Sequence, residues 1–532
     1  MDILKKTSKD FLFVNILVFI GLQIILDIYR TLLTDKFQIF GISPVEILNI
    51  LYFVYLCIIF LMLFRKKPKR FLPILIYGMV FLVYFSLHIW NMFRFDTSVI
   101  NGTEINAFKE LYVMVRVYLI PVIVLYMFLC CDFNMGKFEK ATNFYSGFIS
   151  LIIIGTNIFK ISYVNYSSGL KRNIFITRNI FEWFTNPDYE NPMFMTSKGW
   201  FQMGNQVSII LFMLFPLVIM QVFKYRKIFN YMLFLFQGIA MIMLGTKVAA
   251  LGCLLISAVA FATAILFGII LKQFSFNAKN LSVFVLLIAC LVAIFANSPI
   301  IEVQKAKNQA YVVTEEQEKN KEEIKEKLEN AKVFENTDTD SDNSSQEIKE
   351  SEFSKQLAVK EFANMINSNP YLFGIDREFI ELFDVAENYK FWYDVVSSPD
   401  VSQVNYRGFK ERIYKAVLKK NNNNFDVWLG IGYTTNFPYT ERDFTGQNVW
   451  FGYIGTALFI GPYLVCALFA LIEILKKFKS HFVFENVFWV ISVIGTLCLS
   501  LMAGHLFYGI FSIAFFAFVT AGFYKFQIEV SN

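Results

Sequence analysis

Several cations sit where the sequence gives little reason for a charge. Arg116 interrupts the apolar run LYVMVRVYLIPVIVLYMF, Lys198 opens KGWFQMGNQVSIILFMLFPLV, and Lys247 sits between two apolar runs in Gly245-Thr246-Lys247. Arginine offers a rigid fork to phosphate and lysine a point charge, so cations converging on one mouth of a helix bundle would bind an anion. At a membrane surface the natural anion is a lipid phosphate or diphosphate. Asn205 lies one to two turns inside the run that follows Lys198, at a depth where a polar amide needs a partner and usually faces a cavity. His505, flanked by Gly504 and Gly509, is suited to general-base work. Glu441 and Asp443 stand just before a late apolar run, either as a solvated rim or as a carboxylate that orients His505 or receives an acceptor hydroxyl. Each has a structural reading beside the chemical one: Arg116 snorkels or pairs with Glu110, the lysines anchor helix ends, and His505 packs.

The elements that must position these residues follow from composition. The chain has 532 residues, of which 56% are hydrophobic and only 17% charged. Soluble chains carry about 25% charged residues, so the deficit and the long apolar runs imply a polytopic membrane protein. About twelve runs approach the length needed to cross a bilayer, beginning near Phe11, Val45, Phe71, Leu111, Thr142, Gly199, Ile228, Val248, Leu281, Val449, Val487 and Leu506. The expected fold is all-α, with Gly245-Thr246-Lys247 as a tight hairpin. With twelve spans, the basic clusters around Lys5, Arg65 to Arg70, Lys137, Lys224 to Lys227, Lys272 and Lys476 all fall on one side, which the positive-inside rule assigns to the cytoplasm with both termini. Residues 1–297 then carry nine spans, 298–445 form one large extracytoplasmic loop, and 446–532 carry three. Within the loop, 302–356 reads as a charged, partly disordered insertion with a helix over Val313 to Lys332, and 357–445 as a folded cap. Neither a metal-ligand spacing nor a nucleotide, serine-hydrolase or dinucleotide motif appears, and no nucleic-acid partner is implied. No cofactor is expected. The seven cysteines suggest no disulfide framework.

Four segments resemble the O-antigen ligase and polymerase family of bacterial surface-polysaccharide enzymes: KGWFQMGNQVSIILFMLFPLV, MLGTKVAALG, LGIGY with TERDFTGQNVWFGYIG, and AGHLFYGIFS. The resemblance implies a glycosyltransferase of the cytoplasmic membrane that uses a polyprenyl-diphosphate-linked glycan as donor and a second glycan as acceptor, without nucleotide sugar or metal. Arg116, Lys198, Asn205, Lys247 and Arg407 would hold the diphosphate or glycan, with Arg407 in the only counterpart, Tyr406-Arg407-Gly408, of the family's Ser-Gly-Arg. His505, Glu441 or Asp443 would handle the acceptor proton. Membrane lipids and a chain-length regulator are expected partners. A lipid-linked oligosaccharide flippase or other secondary transporter is the competing class, and it predicts midplane polar groups and repeat symmetry. The topology has its own test: a cysteine placed within 302–356 labels with a membrane-impermeant reagent in intact cells, and protection until lysis would overturn the assignment.

Overall fold

The computed structural model describes residues 9–33, 43–165, 174–185, 191–273, 278–303, 345–368, 377–397, 406–435, 442–477 and 483–531, with a few isolated positions between them. The helix expected over Val313 to Lys332 lies outside these, as does Glu441. Twelve apolar helices follow one another among the described residues: α1 (Lys9–Leu33), α2 (Pro44–Phe64), α3 (Pro68–Met92), α4 (Ala107–Cys130), α5 (Met135–Ile158), α6 (Gly204–Tyr225), α7 (Ile228–Met243), α8 (Lys247–Ile270), α9 (Ala278–Ala296), α10 (Asp443–Lys476), α11 (Phe484–Met502) and α12 (Ile510–Ile528). Eleven are long and apolar enough to cross a bilayer, and α7, with 16 residues, is shorter. The protein is an all-α polytopic membrane protein. No strand occurs among the described residues, only two isolated bridges, Tyr163 with Phe175 and Val164 with Ser197.

The hairpin expected at Gly245-Thr246-Lys247 forms. Gly245 adopts φ 66°, and the Thr246 side chain caps α8 by accepting the Ala249 N–H. A left-handed residue flanked by a capping hydroxyl ends one helix and starts the next without extra chain.

Burial sorts the helices by role. Nearly every residue of α6 is buried, because α5, α7, α8, α11 and α12 pack around it, and α12 is almost as enclosed. α3 and α9 expose rows of Leu, Ile, Val and Met, which is the expected dress of a lipid-facing helix. Pro216 removes a backbone donor from α6, and neighbouring helices supply donors to the carbonyls around it: Gln237 donates to Leu211 O at 2.9 Å and Ser492 to Met213 O.

The bundle has two distinct ends. At one, Lys9 pairs with Asp132 (2.6 Å), Lys137 with Asp10 (2.5 Å) and Lys224 with Glu139 (2.9 Å), so basic clusters far apart in sequence share one rim. At the other, residues 161–165 and 191–203 pack over the end of α5, and the described part of 345–435 folds as a helical cap. The cap closes on Phe362, Phe379, Trp392, Phe409 and Ile413, with Trp392 Nε1 donating to Phe383 O at 2.9 Å. It joins the bundle through Asn101 N to Leu382 O (3.0 Å) and Asp96 N to Asn421 Oδ1 (2.9 Å).

α10 is broken. Gly452 has φ 65° and ψ −177°, which interrupts the helical ladder. The carbonyls left open are filled from outside the helix: Val449 O accepts Ile431 N–H (2.9 Å), Trp450 O accepts Gly432 N–H (2.9 Å), and Phe451 O accepts the Tyr84 hydroxyl (2.8 Å). Two glycines make this crossing possible. A Cβ on Gly430 would lie 2.3 Å from Trp450 O, and one on Gly452 would lie 2.3 Å from the Trp428 carbonyl carbon. Gly452→Ala therefore meets both a left-handed φ and an immovable backbone, and it should cost at least ~2 kcal/mol, read as a lower midpoint of thermal unfolding in detergent. Gly461→Ala, with no heavy atom within 4 Å of the added carbon, is the matched control and should leave the midpoint unchanged.

Candidate functional site

A cavity of about 430 Å³ opens at the cap end, between the end of α1, the start of α4, the Lys198 loop, the Gly432–Tyr433 turn and the start of α12. Its charged wall consists of Arg30, Arg116, Lys198 and Asp27; Tyr118, Gln206, Tyr433, Trp450 and Tyr508 supply aromatic and amide surface. The structure thus brings Arg116 and Lys198, far apart in sequence, onto one wall.

Each cation is held differently. Arg116 lies in a π-helical turn, Met114–Leu119, within α4, over the Tyr112 ring with 5.3 Å between guanidinium carbon and ring centroid. Its carboxylate partner is Glu46, in the first turn of α2, rather than Glu110. Arg30, in the last turn of α1, approaches the same carboxylate at 3.8 Å. Glu46 is fixed by its own helix, since its Oε2 accepts the Ser43 N–H at 3.3 Å in a capping box. Two guanidinium nitrogens, Arg30 Nη2 and Arg116 Nε, are buried with no hydrogen-bond acceptor among the described residues. Arg30 Nη2 reaches only the Glu46 carboxylate, at ion-pair distance, so the wall's guanidiniums are not fully hydrogen-bonded by the protein.

Lys198 is set by backbone. Its N–H donates to Tyr163 O (3.0 Å), Tyr163 N–H donates to Gly199 O (2.9 Å), and Gly199 takes φ 65° to allow this. The ammonium donates to Gln202 O at 3.0 Å, and the residue as a whole is 7% exposed. Burial pushes its pKa below that of a free lysine, against an opposing pull from Asp27.

The other expected residues fall elsewhere. His505, 8% exposed, does not line the cavity. It sits at φ 74° in the turn between α11 and α12, and its Nε2 faces Asn205 Nδ2 at 3.0 Å. An amide nitrogen only donates, so in this pairing Nε2 accepts and the neutral ring carries its proton on Nδ1. Asp443 accepts the Leu506 N–H at 2.8 Å, fixing the backbone one residue beyond His505. Lys247 is exposed at the start of α8 and does not line the cavity. Arg407 falls in the helix Tyr406–Asn421, but its side chain, like Glu441, lies outside the described residues. No group able to hold a metal ion occurs among the described residues.

Glu110 belongs to a clamp that places the cavity's far wall. Fully buried, it accepts Tyr433 N–H (2.9 Å) and Thr434 N–H (3.0 Å), and it meets His88 Nε2 at 3.2 Å. His88 Nδ1 meets Leu429 O at 2.5 Å. Asn91 donates to Asp426 Oδ1 (2.9 Å) and Gly430 O (3.0 Å), so α3 and α4 grip residues 426–434 through a set of buried polar contacts. The pKa of Asp426 is raised by this burial, against three asparagine hydrogen bonds and Arg94.

Sequence reasoning missed Arg30, Asp27 and Glu46. The available signal was the i, i+3 spacing of Asp27 and Arg30 at the end of the first apolar run, with Glu46 at the start of the next.

A model of the O-antigen ligase-like membrane proteins matches residues 8–528, nearly the whole chain. The protein is thus a membrane-embedded member of the O-antigen ligase-like family. No curated protein and no solved structure matches it.

Glu110→Ala would strand the His88 ring and two buried backbone N–H groups. Its expected cost is roughly 3–5 kcal/mol, seen as a much lower unfolding midpoint or loss of folded protein. A wild-type midpoint would refute the clamp.

Proposed function

We propose that the protein is a glycosyltransferase that takes a glycan from a polyprenyl diphosphate and joins it to the end of a second glycan, at the outer face of the cytoplasmic membrane. Family membership supports a ligase or polymerase role in surface-polysaccharide assembly. The observation that carries the reading is the convergence of Arg30, Arg116 and Lys198 on one cavity wall, with Glu46 and Asp27 as the carboxylates beside them. A donor diphosphate would satisfy these cations, and its charge would increase as the bond to the sugar breaks. Fixed cations in a partly dry cavity stabilise such a leaving group most at that moment. Arg116 and Lys198 keep the role expected of them, and Arg30 joins them. Lys247 has no part in this wall. Arg407 stays as a candidate glycan contact, and Glu441 as a candidate for handling the acceptor proton.

In this reading Asn205, His505 and Asp443 shape the turn that delivers Tyr508 and Gly509 to the cavity. Within the family role we favour a polymerase, whose acceptor is the sugar end of a second lipid-linked repeat unit. A carrier fits less well: polar groups within the bundle bond to one another, as Gln23 does with Asn49 (2.7 Å) and Ser146 with Gln237 (2.6 Å), and the cavity lies at one end of the bundle.

Deleting the gene should cause single lipid-linked repeat units to accumulate on the outer leaflet; accumulation on the inner leaflet would identify a flippase instead. Complementation with Arg116→Ala or Lys198→Ala should leave the protein inserted at wild-type abundance and lower polymer formation about 10²–10³-fold. Normal chain-length ladders from both variants would remove the diphosphate assignment.

A further inference from the structure

One charged group in the cavity has no use in holding a diphosphate. Asp27 lines the same wall as Arg30 and Lys198 and is 6% exposed. Its Oδ2 accepts the Gln202 N–H at 2.9 Å, while no partner for Oδ1 is found among the described residues. Among those residues Asp27 forms no ion pair either, although Arg30, Arg116 and Lys198 share its cavity. Glu46 shows what a structural counter-ion looks like in this site: one oxygen goes to Arg116 and the other to the start of its own helix. Asp27 is held by one oxygen only.

A carboxylate kept beside an anion site weakens anion binding, so its presence calls for a task on the uncharged side of the substrate. The acceptor brings a hydroxyl, which must lose a proton as it attacks. His505 is poorly placed to take that proton, because it does not line the cavity and its Nε2 already accepts from Asn205.

We propose that Asp27 is the catalytic base of the transfer, an inference that rests on reading the cavity as the donor-diphosphate site. The acceptor hydroxyl oxygen forms a bond to the anomeric carbon of the donor glycan. The bond from that carbon to the diphosphate oxygen breaks, and its electron pair stays on the diphosphate, beside Arg30, Arg116 and Lys198. The hydroxyl proton passes to Asp27 Oδ1 and leaves to water when the products depart. The Gln202 N–H fixes the carboxylate so that one oxygen always faces the cavity. Because one displacement at carbon is made by the acceptor itself, the anomeric configuration inverts.

The test pairs two measurements on purified protein in nanodiscs: binding of inorganic pyrophosphate by calorimetry, and single-turnover transfer from lipid-linked repeat units extracted from the deletion strain. Asp27→Asn removes a negative charge from a cationic cavity, so it should bind pyrophosphate at least as tightly as wild type, while transfer falls about 100-fold or more. This opposition of the two readouts is not expected of a merely structural residue. Asp27→Glu keeps the charge and shifts the carboxylate by one methylene; it should retain pyrophosphate affinity and lose transfer by about 10-fold or more, and it serves if Asp27→Asn fails to fold. Transfer by either variant within about 3-fold of wild type, or a loss of transfer that merely follows a loss of pyrophosphate binding, overturns the assignment. Failure of the diphosphate reading is recognised separately, because then the wild-type protein does not bind pyrophosphate and Arg116→Ala transfers normally.

Discussion

The crossing of two backbones at Gly430 and Gly452 is the constraint on which the site depends. A membrane interior offers no water to an interrupted helix, so a break is tolerated only where protein pairs the freed groups. Here three successive carbonyls of α10, from Val449 to Phe451, find their donors in Ile431, Gly432 and Tyr84. That pairing does more than rescue the break. It fixes the segment before α10 against the segment within it, and so places Tyr433 and Trp450, whose rings meet at 5.2 Å, as one wall of the cavity. The clamp of His88, Asn91 and Glu110 holds the same segment from the side of α3 and α4. A glycine-only contact and a buried carboxylate thus act on residues 426–434 from two directions and hold one wall of the cavity in shape.

The opposite wall is organised by charge. Arg30, Arg116 and Lys198 face Asp27 and Glu46, so three cations meet two carboxylates and one positive charge is in excess. This balance is physically sensible for a site that must be stable when empty and bind an anion when filled. Unpaired, three cations at a membrane boundary would repel one another and pay a large desolvation cost; fully paired, they would have no donors left for a ligand. Glu46 lowers the first cost without removing the second capacity, because its capping box fixes it to α2 while both guanidiniums keep an unsatisfied nitrogen.

How much of this was legible in the sequence depends on the range of the interaction. The twelve apolar runs appear as twelve helices, since each run carries its own signal of length and composition. The Gly245 hairpin was equally readable, because glycine reports a local backbone need. Arg116 and Lys198 stood out as charges in the wrong place, and they do share a wall. What sequence could not supply was the pairing. Glu110 looked like a natural partner for Arg116, yet six helical positions put the two side chains roughly 120° apart around the axis, and the π-helical turn at Arg116 changes the register again. Glu46 reaches Arg116 only through the packing of α2, and Glu110 is drawn away by the backbone of a segment more than three hundred residues later. His505 was singled out for its chemistry, but its turn places it behind the lining rather than in it.

The same argument explains why Asp27 was overlooked and why it now matters. In the sequence it is one acidic residue near the end of a first hydrophobic helix, where a charge is unremarked because helix ends carry charges. In the fold the end of α1 is not a solvated end: residues 198–203 lie against it, the Gln202 N–H is committed to it, and three cations look into the same space. A helix end becomes a site when other elements take away its water while leaving a cavity in front of it. The basic rim at the other end of the bundle shows the contrary case, where charges such as Lys9 and Asp132 pair across exposed surface and hold helices together. Composition cannot distinguish the two ends; what distinguishes them is whether the packing that buries a charge also leaves it something to react with.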